Sequence, residues 1–379
     1  MVSKTAALQF LDELQGEYRR RGGVTPLGIR YRHHTRLPLP EEGYELMSKH
    51  FTANGYPVQE YEAYIGLIIA ARDDYARYEN HQNIWLLETL KNKLKKVFAF
   101  SKISFPDNVV LGTAQFGHFN AIATAPSRES DIKVIVMDDG LFTFLNGLAK
   151  IVSMVFDKRG EGNDGYSLSF DPADIDNNLK QNSFVHEKFI DLVATYFIKG
   201  HSMHAASFLP AYEHNAFASL LRDTAELFIL AHEYGHIVHG HLAGNPEEEQ
   251  AIADQFHVQT WEISWAKELQ ADTFACMLVM RHNHHLQDME AALSFAGIRF
   301  LFAALEMLYI AKGSKPSLTH PSPRQRITRL VDSLYADTPD KELVDDMERF
   351  GMAITAVVHL LWEINVDTIE EQIRQATSA

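Results

Sequence analysis

Cysteine is nearly absent from this sequence of 379 residues, in which Cys276 is the single example. One cysteine cannot form a disulfide within the chain, and nothing points to an oxidising compartment. We interpret Cys276 as a buried structural thiol. With 46% hydrophobic residues, the chain has enough apolar material to form a substantial core without disulfides.

Positive charge is also in short supply. Lys and Arg total 35 against 50 Asp and Glu, which gives a formal net charge of -15 at pH 7. A surface of that sign repels phosphate backbones, so nucleic acid is excluded as an expected partner.

Long uninterrupted apolar runs are lacking as well. The first 23 residues carry acidic side chains within their apolar pattern and have no hydrophobic centre of the kind that signal peptides need. The most membrane-like segment, 295–311, is short for a span and contains Arg299 and Glu306 on one helical face. We therefore expect this segment to be a buried core helix, and the protein to be cytoplasmic without a membrane span.

Apolar spacing divides the chain into three parts and predicts an α+β, mainly helical fold. Residues 1–100 have helical spacing interrupted by a Pro- and charge-rich link, and predict a helical extension packed on the core. Residues 101–336 begin with three short segments rich in Val, Ile and Thr, which predict a small sheet. The polar, Gly-rich stretch 157–182 predicts a loop or insertion, and residues 337–379 predict a C-terminal helical segment. After the loop, the predicted helices cover roughly 183–200, 213–242, 247–285, 288–312, 322–336 and 340–376.

The stretch AHEYGHIVHGHL, residues 231–242, places four histidines and one glutamate directly after an apolar run. Positions four apart share a helix face, so His232 and His236 can hold one zinc ion through their imidazoles. Glu233 follows the first histidine and is angled away from ligation, which suits a general base for a zinc-activated water. The alternative is an exposed helix face that carries polar histidines. The apolar residues before the motif favour a buried helix, where paired histidines need a partner such as a metal.

A catalytic zinc site needs a third protein ligand and an open position. In metzincin spacing this ligand would be a histidine at position 242, preceded by a glycine at position 239. The chain has Leu242 and His239 at these positions, which excludes that arrangement. We interpret His239 and His241 as packing residues or as partners of the ligands, rather than as ligands.

A later segment, WAKELQADTFACMLVM at 265–280, offers a carboxylate instead. Glu268 and Asp272 are four residues apart and share one face of the predicted helix. Glu268 can complete the zinc site, while Asp272 can accept a hydrogen bond from the far nitrogen of a ligand histidine. The alternative is an ordinary solvated pair of carboxylates, which the apolar neighbours disfavour.

The segment LTHPSPRQRI, residues 318–327, supplies a third element. Its two prolines fix an extended turn before a helix that Ser322 can cap. His320 is then held on a rigid loop and can donate a hydrogen bond to the oxyanion of a tetrahedral intermediate. Taken alone, a histidine such as His320 is more often an ordinary loop residue than a catalytic one.

In this order, HEYGH, ELQAD and THPSPRQRI resemble the gluzincin metallopeptidases related to the HtpX heat-shock proteases and the CAAX-processing endopeptidases. FNAIATA is also similar to the Asn-Ala-x-Ala edge strand of that family. The resemblance covers about residues 105–335 and implies a zincin-like (gluzincin) core with one Zn²⁺ per chain. It implies a soluble zinc-dependent endopeptidase that hydrolyses peptide bonds in a protein or peptide substrate.

The resemblance also implies roles for individual residues. Zinc would be held by His232, His236 and Glu268. Glu233 would act as the general base, and Asp272 would support the ligands from behind.

Further roles follow from the other two matching segments. His320 would stabilise the transition state, and Arg326 would pair with a carboxylate of the site. Substrate would bind as an added β-strand along four residues: Asn120, Ala121, Ile122 and Ala123.

The chain departs from this family in two ways. The best-known members are embedded in membranes, whereas this chain has no expected membrane span. In addition, residues 1–100 and 157–182 have no counterpart in the family that can be placed.

HEYGHIVHGHL with ELQADTFA also resembles the ImmA/IrrE regulatory peptidases, which cut transcriptional repressors but usually carry Asn at the position of Asp272. A third hypothesis is a zinc-stapled regulatory or binding module without turnover. It is disfavoured because a structural zinc site has no use for Glu233.

Overall fold

The computed structural model describes twelve parts of the chain: residues 4–21, 23–24, 30–31, 75–76, 79, 81–114, 121–126, 130–159, 167–243, 260–282, 288–313 and 321–378. Two of the candidate site residues, Asn120 and His320, lie outside these parts. So do residues 247–259 of the predicted third helix.

Helices dominate the described residues. They are α1 (Lys4–Arg21), α2 (His81–Phe100), α3 (Asp139–Ser153), α4 (Pro172–Gln181), α5 (Ser183–Lys199), α6 (Tyr212–Val238), α7 (Thr260–His282), α8 (Asp288–Ala311), α9 (Pro323–Asp337) and α10 (Lys341–Ser378). Short 3₁₀ turns at Ser202–His204 and His241–Ala243 lie on either side of α6. Together with a small sheet, these helices confirm the α+β, mainly helical class.

The strands form one three-stranded mixed sheet and two short pairs. They are β1 (Gly23–Val24), β2 (Arg30–Tyr31), β3 (Val109–Ala114), β4 (Ala121–Thr124), β5 (Lys133–Asp138), β6 (Lys158–Arg159) and β7 (Ser167–Leu168). The sheet has the order β3-β5-β4, with β3 parallel and β4 antiparallel to β5. Among the described residues β4 is therefore an edge strand, and Ala123 lies opposite Ile135 of β5. The three strands predicted from the segments rich in Val, Ile and Thr are present.

The stretch 157–182, predicted as a loop or insertion, is partly regular structure. It contains the β6–β7 pair and the whole of α4. Asp171 caps α4 by accepting a hydrogen bond from the backbone of Ala173, and Pro172 occupies the first turn. Ile175 is buried against the core and fixes one face of the helix. The stretch is therefore not a loop throughout, and the capping signal at Asp171 was overlooked beside the Gly-rich composition.

Two of the predicted helices also differ from the structure. The helix predicted over 213–242 ends at Val238, because Gly240 has a φ of 70° and its left-handed backbone interrupts the helix. Tyr75, Ala76 and Glu79 fall within the helical spacing of the N-terminal part but are not helical.

One hydrophobic core joins α2 to the helices that carry the HEYGH and ELQAD motifs. The ring of Phe98 on α2 contacts Tyr234 of α6 and Phe274 of α7, with centroid distances of 6.1 and 5.8 Å. Phe105 adds a contact with Tyr234 at 5.0 Å. Aromatic contacts of this kind contribute on the order of 1 kcal/mol each beyond the burial of apolar area. The helix α2 therefore belongs to the same core as α6 and α7 and fixes their positions.

A buried polar network fastens α1 to the sheet. Glu79 accepts hydrogen bonds from the backbone and hydroxyl of Thr113 on β3, at 2.7 and 2.5 Å, and from Gln15 of α1 at 2.9 Å. Asn83 of α2 donates to Glu79 at 3.2 Å and to Asp139 of α3 at 2.9 Å. Burial raises the pKa of Glu79 to about 7. The carboxyl group of Glu79 thus joins α1, α2 and β3, and Asn83 extends the network to α3.

Two of the described helices have the length and apolar character of a membrane span, namely Ala292–Ala311 in α8 and Lys341–Ser378, which is α10. Within the most apolar window, 72% of the α8 residues and 39% of the α10 residues are buried inside the fold. The two helices pack against each other, and the buried Arg299 of α8 pairs with Glu348 of α10. The predicted segment 295–311 is thus largely buried, as expected of a core helix.

Candidate metal centre

Three side chains from two helices converge at one point. His232 and His236 project from α6 and Glu268 projects from α7, with ligand atoms that all lie within 4.8 Å of one another. His232 Nε2 is 3.1 Å from His236 Nε2 and 3.5 Å from Glu268 Oε2. His236 Nε2 is 3.6 Å from Glu268 Oε1. The structure thus brings together the three residues that the sequence predicted as metal ligands.

The spacing of these atoms fits a tetrahedral zinc ion. With bonds of about 2.0–2.2 Å, two ligand atoms of a tetrahedral zinc lie ~3.3–3.6 Å apart. The two imidazole nitrogens are 3.1 Å apart, and each lies 3.5 or 3.6 Å from a different oxygen of the Glu268 carboxylate, which is close to that range. Two imidazoles and one carboxylate also form a donor set that catalytic zinc enzymes use, with the fourth position left for water. The residues present therefore fit the metal that the motifs imply.

A close crossing of α6 and α7 allows this convergence. A Cβ atom at Gly235 would lie 3.1 Å from the Cα atom and 3.3 Å from the Cβ atom of Ala271. A side chain at position 235 would therefore push the two helices apart. Gly235 follows His232 by three residues and Ala271 follows Glu268 by three, so the contact lies about one turn from the ligands on both helices. Neither residue was predicted to be important, although a small residue within each motif was the available signal.

We expect Gly235→Val to abolish zinc binding, because separated helices cannot bring Glu268 to the two histidines. Gly235→Ala should weaken zinc binding less, since overpacking by one methyl group costs about 1–3 kcal/mol. Zinc content after purification, measured by mass spectrometry beside thermal unfolding, checks both expectations. The matched control is Gly147→Val, where the atoms nearest to an added Cβ atom belong to the side chain of Leu192. It should lower stability and keep zinc, whereas a zinc-loaded Gly235→Val would contradict the prediction.

Asp272 lies behind His232 and holds its ring. Asp272 Oδ1 is 2.9 Å from His232 Nδ1, and the guanidinium of Arg326 on α9 donates to Asp272 at 2.7 and 2.5 Å. Burial lowers the pKa of His232, but Asp272 outweighs burial and raises it to about 9. Burial alone would raise the pKa of Asp272, yet the guanidinium of Arg326 holds it below its ordinary value. With Nδ1 bound to Asp272, Nε2 is the nitrogen of His232 that faces Glu268.

The start of α9 determines where Arg326 lies. Ser322 caps the helix in a reciprocal arrangement with Gln325, in which each side chain accepts a hydrogen bond from the backbone of the other residue. The guanidinium of Arg326 lies 5.3 Å from the ring centroid of Phe302 on α8 and 3.8 Å from Glu268 Oε2. Arg326 therefore pairs with Asp272 and also approaches the carboxylate of the metal group. The structure places it beside the site carboxylates, where the sequence resemblance implied it.

Glu233 is buried next to the metal group and touches the edge strand of the sheet. Its carboxylate accepts a hydrogen bond from the backbone of Ala123 on β4. Burial raises the pKa of Glu233 above its ordinary value. Such a shift suits a group that takes and returns a proton near neutral pH. Of the other predicted strand residues, Ala121 is buried and Ile122 is 44% exposed.

His236 has a partner of its own on the side away from Glu268. His241 Nδ1 lies 2.9 Å from His236 Nδ1, and His241 Nε2 lies 2.9 Å from Gln270 Oε1. Burial, reinforced by the charge of His232, lowers the pKa of His236 to about 4. His239 instead makes ring contacts with Phe274 at 5.3 Å and with His241 at 5.6 Å. Of the two histidines interpreted as packing residues or partners, His241 is a partner and His239 packs.

The cysteine on α7 has no part in this chemistry. Cys276 is buried, and burial raises its pKa to about 12. The thiol is therefore protonated and inert at neutral pH, which agrees with its interpretation as a structural residue.

The candidate site lies within a region that matches a known family of peptidases. Residues 202–347 match the model of the family described as Peptidase U49, over about two fifths of the chain. This region contains α6 to α9 and with them the ligand, base and supporting residues described above. No curated protein and no solved structure matches the chain. The family match supports a peptidase, which is a hydrolase of peptide bonds, and it says nothing about the metal.

Proposed function

We propose that this chain is a zinc-dependent endopeptidase of the gluzincin type. The observation that carries the proposal is the group of His232, His236 and Glu268, whose ligand atoms lie within 4.8 Å of one another beside the buried Glu233. The match of this region to a peptidase family supports the same class of reaction. The motif order shared with the HtpX and CAAX-processing enzymes supports the metal.

The protein side chains divide the chemistry between them. When bound, zinc would act as a Lewis acid that polarises the scissile carbonyl and lowers the pKa of a water molecule toward about 7. Glu233 would take a proton from the attacking water and pass it to the nitrogen of the leaving amine. Asp272 keeps His232 Nε2 directed at the metal position. His320, as the resemblance implies, donates a hydrogen bond to the oxyanion.

The edge of β4 is the proposed binding surface for a protein or peptide substrate. Asn120, Ala121, Ile122 and Ala123 would pair with the substrate as an added strand, which recognises the main chain and leaves side-chain specificity loose. The position of β4 at the sheet edge supports this proposal, as does the hydrogen bond from Ala123 to Glu233. A substrate strand laid along β4 would therefore pass beside the general base.

Two alternatives use the same residues differently. A zinc-stapled binding module would need a fourth protein ligand, whereas the metal group found among the described residues has three members. A regulatory peptidase of the ImmA/IrrE type would cut one specific protein. We also propose, from the sequence, a cytoplasmic location, and we propose that the chain has no membrane span, which the burial of α8 supports.

Zinc content and proteolysis together test the proposal. We expect about one zinc per chain in the purified protein and internal cleavage of an unfolded protein such as casein. A chelator should remove the zinc and abolish cleavage, and added zinc should restore both. Glu268→Gln should lower zinc content, because it removes one ligand charge. A protein that is isolated without zinc and does not take it up would refute the proposal. Full zinc occupancy without cleavage of any protein in a broad panel would favour the binding module.

A further inference from the structure

His241 links His236, on the side of its ring away from Glu268, to the side chain of Gln270 on the neighbouring helix α7. Its Nδ1 atom is 2.9 Å from His236 Nδ1, and its Nε2 atom is 2.9 Å from Gln270 Oε1 on α7. The other nitrogen of His236, Nε2, faces His232 and Glu268. A chain of hydrogen bonds thus runs from the amide of Gln270 through His241 to His236.

The donors and acceptors in this chain determine where the protons are. An amide oxygen only accepts, so the Nε2 atom of His241 carries a proton. A neutral imidazole has one N–H group, which makes His241 Nδ1 an acceptor. Two ring nitrogens 2.9 Å apart need one donor between them, so His236 Nδ1 carries the other proton. His236 Nε2 is then left with a free lone pair directed at Glu268 and His232.

We propose that His241 is a positioning residue for the metal, and that Gln270 fixes the tautomer in which His241 acts. The inference rests on the zinc site of the proposed function. Metal-bound histidines commonly donate their second N–H group to such a partner, which fixes the tautomer and the ring orientation. Asp272 gives His232 a charged and buried acceptor. His241 gives His236 a neutral acceptor that is partly exposed.

The backbone after α6 brings His241 to this position. On a continuous helix, position 241 would lie ~140° around the axis from His236 and would point away from it. Gly240 has a φ of 70°, which ends the helix and turns the chain into the 3₁₀ turn His241–Ala243. A side chain at position 240 would meet nothing within 4 Å, so the left-handed backbone is the reason for a glycine. His241 folds back over the last turn of α6 as a result.

Zinc affinity of the full-length protein tests the role of His241. Metal-free protein is titrated with zinc against a chromophoric chelator. His241→Leu should weaken zinc binding by about 10–100-fold, the usual effect of losing the partner of a metal ligand. His241→Asn should recover most of that loss, because Asn Oδ1 occupies the same place along the side chain as His Nδ1 and accepts the same hydrogen bond. Gln270→Leu, at an exposed position, should weaken binding by about threefold to tenfold.

His239→Leu is the matched control, since it removes a histidine whose ring packs on His241 and Phe274. Its zinc affinity should stay within about twofold of the wild-type value. Thermal unfolding of each metal-free variant separates a loss of fold from a loss of ligand geometry. Equal affinities for wild type, His241→Leu and Gln270→Leu would overturn the inference and leave the zinc site standing. An equal loss in His241→Leu and His241→Asn would also overturn it, whereas a wild type that binds no zinc would overturn the proposed function as well.

Discussion

Glu233→Gln is expected to keep its zinc and to lose peptide-bond hydrolysis by about 10²–10⁴-fold, the usual contribution of a general acid or base. The amide has nearly the shape of the carboxyl group, so the packing of this buried side chain should be preserved. The amide group, unlike the carboxylate, cannot take a proton from water. Zinc should remain because Glu233 is not a member of the ligand group. Zinc content by mass spectrometry and kcat/KM on a fluorogenic peptide from the first cleaved substrate check both parts.

The chain offers a matched control on the same helix. Glu226 is also buried in α6, and burial raises its pKa to about 8. It is therefore largely protonated at neutral pH, and glutamine should replace it with little change in charge. We expect Glu226→Gln to keep both zinc and activity. A Glu233→Gln enzyme that hydrolyses peptides as fast as wild type with zinc bound would refute the assignment of the base.

Local spacing was sufficient to find the side chains of the metal group. His232 and His236 are four residues apart, as are Glu268 and Asp272, and this interval alone determines that each pair shares a helix face. Spacing along the chain cannot give the distance between two helices. That distance depends on the contact of Gly235 with Ala271, which joins residues far apart in sequence. The predicted ligands were therefore accessible to sequence reasoning, and the contact that brings them together was not.

The parts of the fold that were predicted poorly depend on backbone conformation or on long-range hydrogen bonds. His241 could be assigned as a partner only once the left-handed Gly240 turned the chain back on α6. Glu79 lies in a segment with helical spacing, and its bonds to Gln15 and Thr113 leave no trace in local sequence. Short capping signals such as Asp171 were overlooked beside a Gly-rich stretch. In each case a single residue, rather than a pattern, determines the structure.

Asp272→Asn is expected to lower the free energy of unfolding by about 3–5 kcal/mol, the usual cost of leaving one member of a buried ion pair alone. Asp272 is fully buried, and Arg326 donates two hydrogen bonds to it while its own side chain is 18% exposed. Asparagine keeps the size of the side chain and removes the charge that Arg326 needs. Urea unfolding of the metal-free proteins at pH 7 measures the loss. The control is Asp176→Asn, which breaks an exposed ion pair with Lys180 and should change stability by less than about 1 kcal/mol.

The same substitution should change how stability depends on pH. In the folded protein the pKa of Asp272 lies below its ordinary value. The stabilisation is therefore present above the ordinary pKa of about 3.9 and is lost as pH falls through the folded value. The pKa of His232 is raised to about 9, so its contribution is fully present below about 6.5 and is lost as pH rises through 9. Metal-free wild type should thus lose stability below pH ~4 and again between pH ~6.5 and 9. Asp272→Asn should reduce the pH dependence of stability in both ranges. Parallel pH profiles for the two proteins would show that neither the titration of Asp272 nor its effect on His232 sets this dependence.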